Sequence, residues 1–433
     1  MKALGLDIGT TTLCLTVIDA QTGTTIESKT LPNDTFITGR SFERLQDPGS
    51  ILTKATQLVN AAAEKHSDIV ALGVTGQMHG IVYVDAAGNA CSPLAIWQDQ
   101  RGNEPVDGTT YSQQLGVPTG YGCVTHYYNV CNGEVPAEAV VFCTIHDYVA
   151  MKLAGATKPL VNVTDAASFG LFDITAEQFT VDWPLLPNVT AEAAKLGETM
   201  QGILVFCAIG DNQASFIGSV REPEKSILVN VGTGSQISFA TNDMIAQGME
   251  IRPLPCGGSL AVGAALCGGR AYAALERFYR AVLEMTGCAS EDELYSAMNA
   301  LAMQPPANPL QIDTRFSGTR ANPALRGGIS NLGLENFTPA HFIYGVLQGM
   351  VAELHDMYCA AGAGGHSVLI ASGNAMRKGE PLRRLFSENF AMPLHIPAHN
   401  EEAAYGAALF GLVGAGVFAT LADAQKLIQY QED

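Results

Sequence analysis

Four short stretches of this chain carry residues whose types and spacing can do chemistry. The first, Asp7-Ile8-Gly9-Thr10-Thr11-Thr12, sets a carboxylate beside a glycine and three hydroxyls. Gly9 lets the backbone turn tightly and come close to a ligand. Hydroxyl and N–H donors in such a turn suit phosphate oxygens, and the Asp7 carboxylate suits a hydrated magnesium ion. An ordinary tight turn would use the same residues. The second, Gly210-Asp211-Asn212-Gln213-Ala214-Ser215, comes after an apolar run. Asp211 there can take a proton from a substrate hydroxyl, or it can merely cap the helix that Ala214-Ser215 opens. The third, Gln77-Met78-His79-Gly80, offers an amide, a thioether and an imidazole on one loop, a mixture that suits a sugar. His79 can instead be a satisfied interior histidine, or compete with Asp211 as the base. In the fourth, Trp97-Gln98-Asp99-Gln100-Arg101, Trp97 can wall a sugar site while Asp99 and Arg101 bind hydroxyls. The alternative is a surface ion pair beside a half-buried ring.

The surrounding sequence predicts the elements that must position these groups. Strand-like runs cover 2–6, 13–19 and 24–30, so the Asp7 turn joins a β-hairpin. Asp47-Pro48 reads as the start of a helix running to residue 65. A buried strand over 69–74 leads into the Gln77 loop, and a strand comes next over 81–84. An apolar strand over 203–209 leads to Asp211. Strands over 227–231 and 236–240 flank Gly232-Thr233-Gly234-Ser235. Strand–Gly-Thr–strand therefore occurs twice, which suggests two related lobes, each with one phosphate-binding hairpin. A helix over 338–361, a strand over 366–371, a helix over 381–389, a strand over 393–396 and a helix over 401–413 complete an α/β pattern.

Composition narrows the function classes. A chain of 433 residues exceeds what one core usually serves, and domains over 1–202 and 203–433 are expected. A net charge of −18 argues against nucleic acid or an anionic membrane surface as partner. Any phosphate site must then supply local donors and a metal ion. The ten cysteines are scattered with no C-x-x-C pair, which points away from zinc and from a disulfide scaffold. No signal peptide is recognised before Lys2, and a cytoplasmic location is expected. Neither G-x-x-x-x-G-K-[ST] nor a strand-borne G-x-G-x-x-G is present, so a P-loop ATPase and a dinucleotide dehydrogenase are both disfavoured.

Taken in order, these stretches resemble the FGGY carbohydrate kinase family across essentially the whole chain. The resemblance implies two ribonuclease-H-like lobes of the actin-like ATPase and hexokinase type, with a central cleft. It implies a first phosphate motif at Asp7–Thr12 (Gly9, Thr10, Thr11, Thr12, with Asp7 toward magnesium) and a second at Gly232, Thr233 and Gly234. It implies sugar contacts at Gln77, Met78, His79, Trp97, Asp99, Arg101 and Asn212, with Asp211 as the catalytic base. An adenosine region is implied over Ser372–Arg377, with Gly373, Asn374 and Arg377, and then over Glu402–Ala407. Within the family, Thr119–Cys123, Thr144–Val149, Gly318-Thr319-Arg320, Arg326-Gly327, Ile329-Ser330-Asn331 and Asn336–Pro339 are most similar to sedoheptulokinases. The implied activity is ATP- and Mg2+-dependent phosphorylation of the terminal primary hydroxyl of a ketose, sedoheptulose first. A xylulokinase-type pentulose kinase and a non-catalytic sugar- or nucleotide-binding protein are the alternatives, and a homodimer is compatible with the resemblance. One departure stands out. Cys14 occupies a position where members often carry Lys or Arg, a cation that could support the phosphates.

Overall fold

The N-terminal apolar runs become neighbouring strands of the first sheet. In the computed structural model, which describes residues 1–244, 246–288, 293–319 and 322–432, β1 (Lys2–Ile8) pairs antiparallel with β2 (Thr12–Asp19), and β3 (Thr25–Pro32) extends the sheet. Arg320 of the stretch 318–320 lies outside the described residues. α1 (Pro48–Lys65) starts where Asp47 accepts from the N–H groups of Gly49 and Ser50, and it buries Ile51, Ala55, Leu58, Val59 and Ala62. That i, i+4, i+7, i+8 spacing is one helical face. β4 (Ile69–Gly76) lies parallel to β1, with Asp7 level with Thr75 and Ile8 level with Gly76.

Farther along the chain are α2 (Ile145–Leu153) and α3 (Val163–Ser168), and later β5 (Lys195–Glu198), β6 (Leu204–Phe206) and β7 (Ile209–Gly210), which leads directly into α4 (Asp211–Ser219). The sheet order is β5-β6-β4-β1-β2-β3, with β7 also on β4. The single strand expected over 203–209 is two short ones. Val205 pairs with Leu72 and Ile209 with Thr75, so the later strand spends one residue more than β4 over the same stretch. Such a bulge bends the strand and re-aims the residues after it, here Asp211.

A second sheet is built from β8 (Ser226–Val231), β9 (Ser235–Thr241), β10 (Glu250–Pro253) and β11 (Ser259–Ala265), then β12 (Val368–Ser372) and β13 (Leu394–His395). Its order is β10-β11-β9-β8-β12-β13. α5 (Gly268–Met285), α6 (Pro339–Ala360) and α7 (Asn374–Lys378) belong with it. The local plan of the first sheet recurs. β8 pairs antiparallel with β9 across a short turn and parallel with β12 on its other side.

The chain then returns to the first sheet as α8 (Glu402–Gly414), which packs on β1 and β4. A Cβ at Gly5 would lie 1.7 Å from the Ala404 carbonyl oxygen, and one at Gly73 would lie 1.7 Å from that of Ala407. Only glycine admits this approach.

Two compact units result. One comprises Met1–Glu222, Arg252–Ser259 and Ala398–Gln429, the other Pro223–Ile251, Leu260–Pro397 and Tyr430–Asp433. The division differs from the expected boundary at 202/203, because β6 and β7 pair with β4. Asp211 therefore stands on the N-terminal sheet rather than with the C-terminal residues.

Candidate active site

The first unit gathers its chemistry at the carboxyl ends of parallel strands, where α/β sheets usually bind ligands. Ile8, Gly76 and Gly210 lie level at the ends of β1, β4 and β7. Asp7 precedes the first of these, Gln77 succeeds the second and Asp211 the third. One carboxylate oxygen of Asp7 is buried without a hydrogen-bond partner. Burial, with the carboxylates of Asp211 and Glu401, pushes the Asp7 carboxyl up to about 7, while His146 pulls it down. Asp211 is the first residue of α4, and Gly210 occupies the cap position. The capping alternative for Asp211 therefore gives way. Burial raises its carboxyl to about 6, and Asp165 adds to this. His146, Arg252 and the Asn212 N–H oppose the rise.

The Asp7 turn has its carbonyls tied back. Gly9 O accepts from Asn33 Nδ2 at 2.8 Å, Thr10 O from Gln46 Nε2 at 2.9 Å and Thr11 O from Asn33 N at 2.8 Å. What the turn can offer a ligand is its N–H groups, together with the exposed Thr11 and Thr12. The Thr10 hydroxyl is committed elsewhere. It donates to Gln77 Oε1 at 3.1 Å and accepts from Trp97 Nε1 at 3.0 Å. Gln77 in turn donates to Gln46 Oε1 at 2.8 Å. Gln77 is thus buried and spans the turn, with one hydrogen bond at each end of its amide.

Other expected sugar residues divide in the same way. Trp97 is 46% exposed, with its N–H anchored on Thr10, so its ring faces are open to a ligand. His79 stacks on Tyr121 with ring centroids 4.1 Å apart, and its Nδ1 lies 2.8 Å from the Ser168 carbonyl oxygen. A carbonyl only accepts, so Nδ1 carries the proton and Nε2 is the acceptor of the neutral ring. Met78 is buried, and its Cε would lie 2.6 Å from a Cβ at Gly210. The thioether packs against the strand end that leads into Asp211. Asp99 and Arg101 are likewise interior. Arg101 donates to both Asp99 oxygens, at 2.7 and 3.1 Å, and to Asn129 Oδ1 at 2.6 Å, while Asp99 also accepts from Arg44 N. Neither sugar binding nor a surface ion pair describes them. They form a buried clamp holding the loop that carries Trp97. Asn212 lies beside Asp211 and is partly exposed.

The second unit holds a cavity of about 650 Å³. Its lining includes Gly232, Thr233, Gly373 and Asn374, so four of the expected nucleotide residues meet at one place. Gly234 and Arg377 are not among the lining residues. Gly234 O accepts from Gly232 N, and Arg377 Nη1 donates to Pro397 O at 3.0 Å. The turn carbonyls of Gly232 and Thr233 are again captured, by Gly269 N and Arg270 N. Arg270, Lys378, Tyr272, Tyr295, Asn299 and the acidic Glu293 also line it. The tyrosine rings stack with centroids 5.8 Å apart, and Tyr272 donates to Asn299 Oδ1 at 2.9 Å. Glu402–Ala407 are not among the lining residues. They open α8 on the first sheet, with Ala404 to Ala407 buried.

A family model for the N-terminal domain of the FGGY family of carbohydrate kinases matches residues 2–218, and one for its C-terminal domain matches residues 229–415. The chain belongs to the FGGY family of carbohydrate kinases. It is therefore an ATP-dependent sugar kinase with the actin-like ATPase fold. It is 25% identical to sedoheptulokinase of Mus musculus, covering 94% of this chain and 96% of that protein. It is 26% identical to sedoheptulokinase of Homo sapiens, over 84% and 86% of the two chains. The crystal structure of xylulose kinase from Rhodospirillum rubrum superposes with a TM-score of 0.84 at 19% identity, over 100% of this chain and 93% of that one. Among the described residues, no helix is long and apolar enough to cross a membrane.

For this FGGY kinase the departure at Cys14 has a structural reading. Cys14 is 3% exposed, and burial pushes its thiol up to about 12. The side chain belongs to the core of the sheet, and the cations near the nucleotide residues are Arg270 and Lys378 instead. Local sequence gives no signal for those two, nor for Tyr272, Tyr295 or Arg252. Each depends on which distant segments the fold brings together.

Proposed function

We propose that this kinase phosphorylates the terminal primary hydroxyl of a ketose, with sedoheptulose, giving sedoheptulose 7-phosphate, as the preferred acceptor. The observation that carries the reaction is the Asp211 carboxyl at a strand end, raised to about 6. Such a group is ionised at neutral pH yet basic enough to accept a proton. As the hydroxyl oxygen attacks the γ-phosphorus, the bond to the ADP oxygen breaks and Asp211 takes the hydroxyl proton. Trp97 offers a ring face to the sugar, and His79 Nε2 and Asn212 offer polar contacts. The choice of a seven-carbon ketose rests on the two sedoheptulokinases, which align over most of this chain.

The partnerless Asp7 oxygen fits a cation, and magnesium would be held there, through water. When bound, it would neutralise charge on the transferring phosphoryl group. Backbone donors of Gly9–Thr12 in the first unit, and of Thr233, Gly373 and Asn374 in the second, would bind phosphate oxygens, with Arg270 and Lys378 supplying charge. Tyr272 and Tyr295 would hold the base. Phosphoryl transfer depends mostly on such positioning and charge stabilisation. The test is ADP release with sedoheptulose, xylulose, ribulose and glycerol as separate acceptors. The highest kcat/KM is expected with sedoheptulose. A higher value with xylulose would reassign the acceptor, and release with none of them would refute the reading.

A further inference from the structure

Five hydrogen-bonding groups of the first unit meet around Thr10, and the direction of each bond there is forced. The Thr10 carbonyl oxygen only accepts, so the amide atom that reaches it at 2.9 Å is Gln46 Nε2. Gln46 Oε1 then faces Gln77 and accepts from its Nε2 at 2.8 Å. Gln77 Oε1 is left facing the Thr10 hydroxyl, which donates to it at 3.1 Å. The Trp97 indole N–H, which only donates, comes to the same hydroxyl at 3.0 Å. The ring of bonds begins and ends on Thr10, and Gln46 and Gln77 are both buried.

These directions decide what the Thr10 hydroxyl can do. A hydroxyl has one proton to give, and Gln77 takes it. Phosphate oxygens act as acceptors. To donate to one, Thr10 would have to abandon Gln77 Oε1 and leave it unpaired in the interior, which is costly. Thr11 and Thr12 beside it are exposed, so hydroxyls for phosphate remain in the turn without that cost. On the sugar side, Asp99 and Arg101 fix the backbone of the Trp97 loop, whereas the indole's single N–H fixes its ring, and that N–H ends on Thr10.

We propose that Thr10 is a positioning residue for the sugar: its hydroxyl, oriented by Gln77 and Gln46, holds the Trp97 ring, so a residue of the phosphate turn sets ketose affinity. Its side chain then adds nothing to nucleotide binding, in contrast to the phosphate role that the resemblance implies for it. The role rests on Trp97 as the wall of the sugar site, as in the proposed function.

The experiment measures KM for ATP and for the best of the four acceptors in Thr10→Val, Thr10→Ser, Trp97→Phe and Thr10→Val/Trp97→Phe. Acrylamide quenching of Trp97 is read for the two Thr10 variants in a Trp183→Phe background, since the chain has two tryptophans. Valine keeps the shape of threonine and removes the hydroxyl. It should raise the acceptor KM about fivefold, the usual worth of one hydrogen bond, and leave the ATP KM unaltered. Serine keeps the hydroxyl and should restore the acceptor KM. Quenching should rise in the Val variant and not in the Ser variant. The double variant should lose less than the two single losses multiplied, because both remove the same bond. An ATP KM raised as much as the acceptor KM, a Ser variant as poor as Val, unchanged quenching, or multiplied losses would each overturn the proposal. Should Thr10→Val fail to fold, Trp97→Phe decides, and an unmoved acceptor KM there would overturn it. Lack of turnover with all four acceptors would instead count against the reaction assigned to the site, while quenching, which needs no substrate, still judges the anchor.

Discussion

Two hairpins in this molecule share a backbone plan and differ in chemistry. β1–β2 with parallel β4, and β8–β9 with parallel β12, are built alike, and the carbonyls of both turns are captured. The residue before the last of β1 is Asp7, with a buried oxygen lacking a partner. The equivalent residue of β8 is Asn230, whose Nδ2 donates to Ser372 Oγ at 2.8 Å. One hairpin thus keeps an unsatisfied charge and the other a satisfied neutral amide. The plan supplies donors for anions in both places, while a single side-chain position decides whether a cation is wanted too.

Substitutions can probe this contrast, beginning with the most damaging. Asp211→Asn should cost about 10²–10⁴-fold in kcat, the usual worth of a general base, with ATP binding by calorimetry unchanged. Near-normal turnover would move the base elsewhere, to His79 first. Asp7→Asn makes the first hairpin resemble the second. It should lower activity about 10–100-fold, as loss of a water-mediated metal partner does, and weaken the Mg2+ dependence of the rate. Tyr272→Ala acts on the other hairpin's cavity. Losing an aromatic stack of about 1 kcal/mol or more should raise KM for ATP about fivefold, with the ketose KM unaltered. An unchanged ATP KM would place the base away from these rings.

Smaller effects concern stability and reactivity. Asp7 and Asp211 have folded-state pKa values raised from 3.8 to about 7 and about 6. Between those limits the folded chain binds more protons than the unfolded one, so this contribution to stability is present near pH 4 and is lost as pH rises toward 7. The melting temperature should fall across that window, and Asp7→Asn should flatten the slope. Least of all, Cys14 should resist alkylation in the native protein while exposed Cys131 and Cys288 react. Ready native labelling of Cys14 would show that the hairpin opens.

Much of this was legible in the chain itself. Both hairpins, α1 with its Asp47 cap and the strand before Gln77 arise from apolar runs, turn residues and capping chemistry, all local. The direction of side chains was not. Met78, Asp99 and Arg101 carry groups that suit a sugar, yet Gly210, Asn129 and Arg44 turn them inward, and none of those partners is near in sequence. Asp211 was recognisable as a candidate, but its unit depended on pairing of β7 with β4, over a hundred residues away. His146 shows the same limit. Thr144–Val149 stands out in the sequence only by resemblance, whereas the imidazole's closeness to Gly76 is a product of the fold.

The glycine-lined seat of α8 on β1 and β4 also governs how the molecule can be made. Residues 1–222 emerge from the ribosome early, but the helix that covers their sheet is synthesised only after residues 223–397. Most of the nucleotide-cavity unit, residues 223–251 and 260–397, is made before that helix, while the catalytic unit waits for it with Gly5 and Gly73 bare. A chain stopped short of residue 402 should be a substrate for chaperones and proteases, however well the residues at its strand ends are encoded.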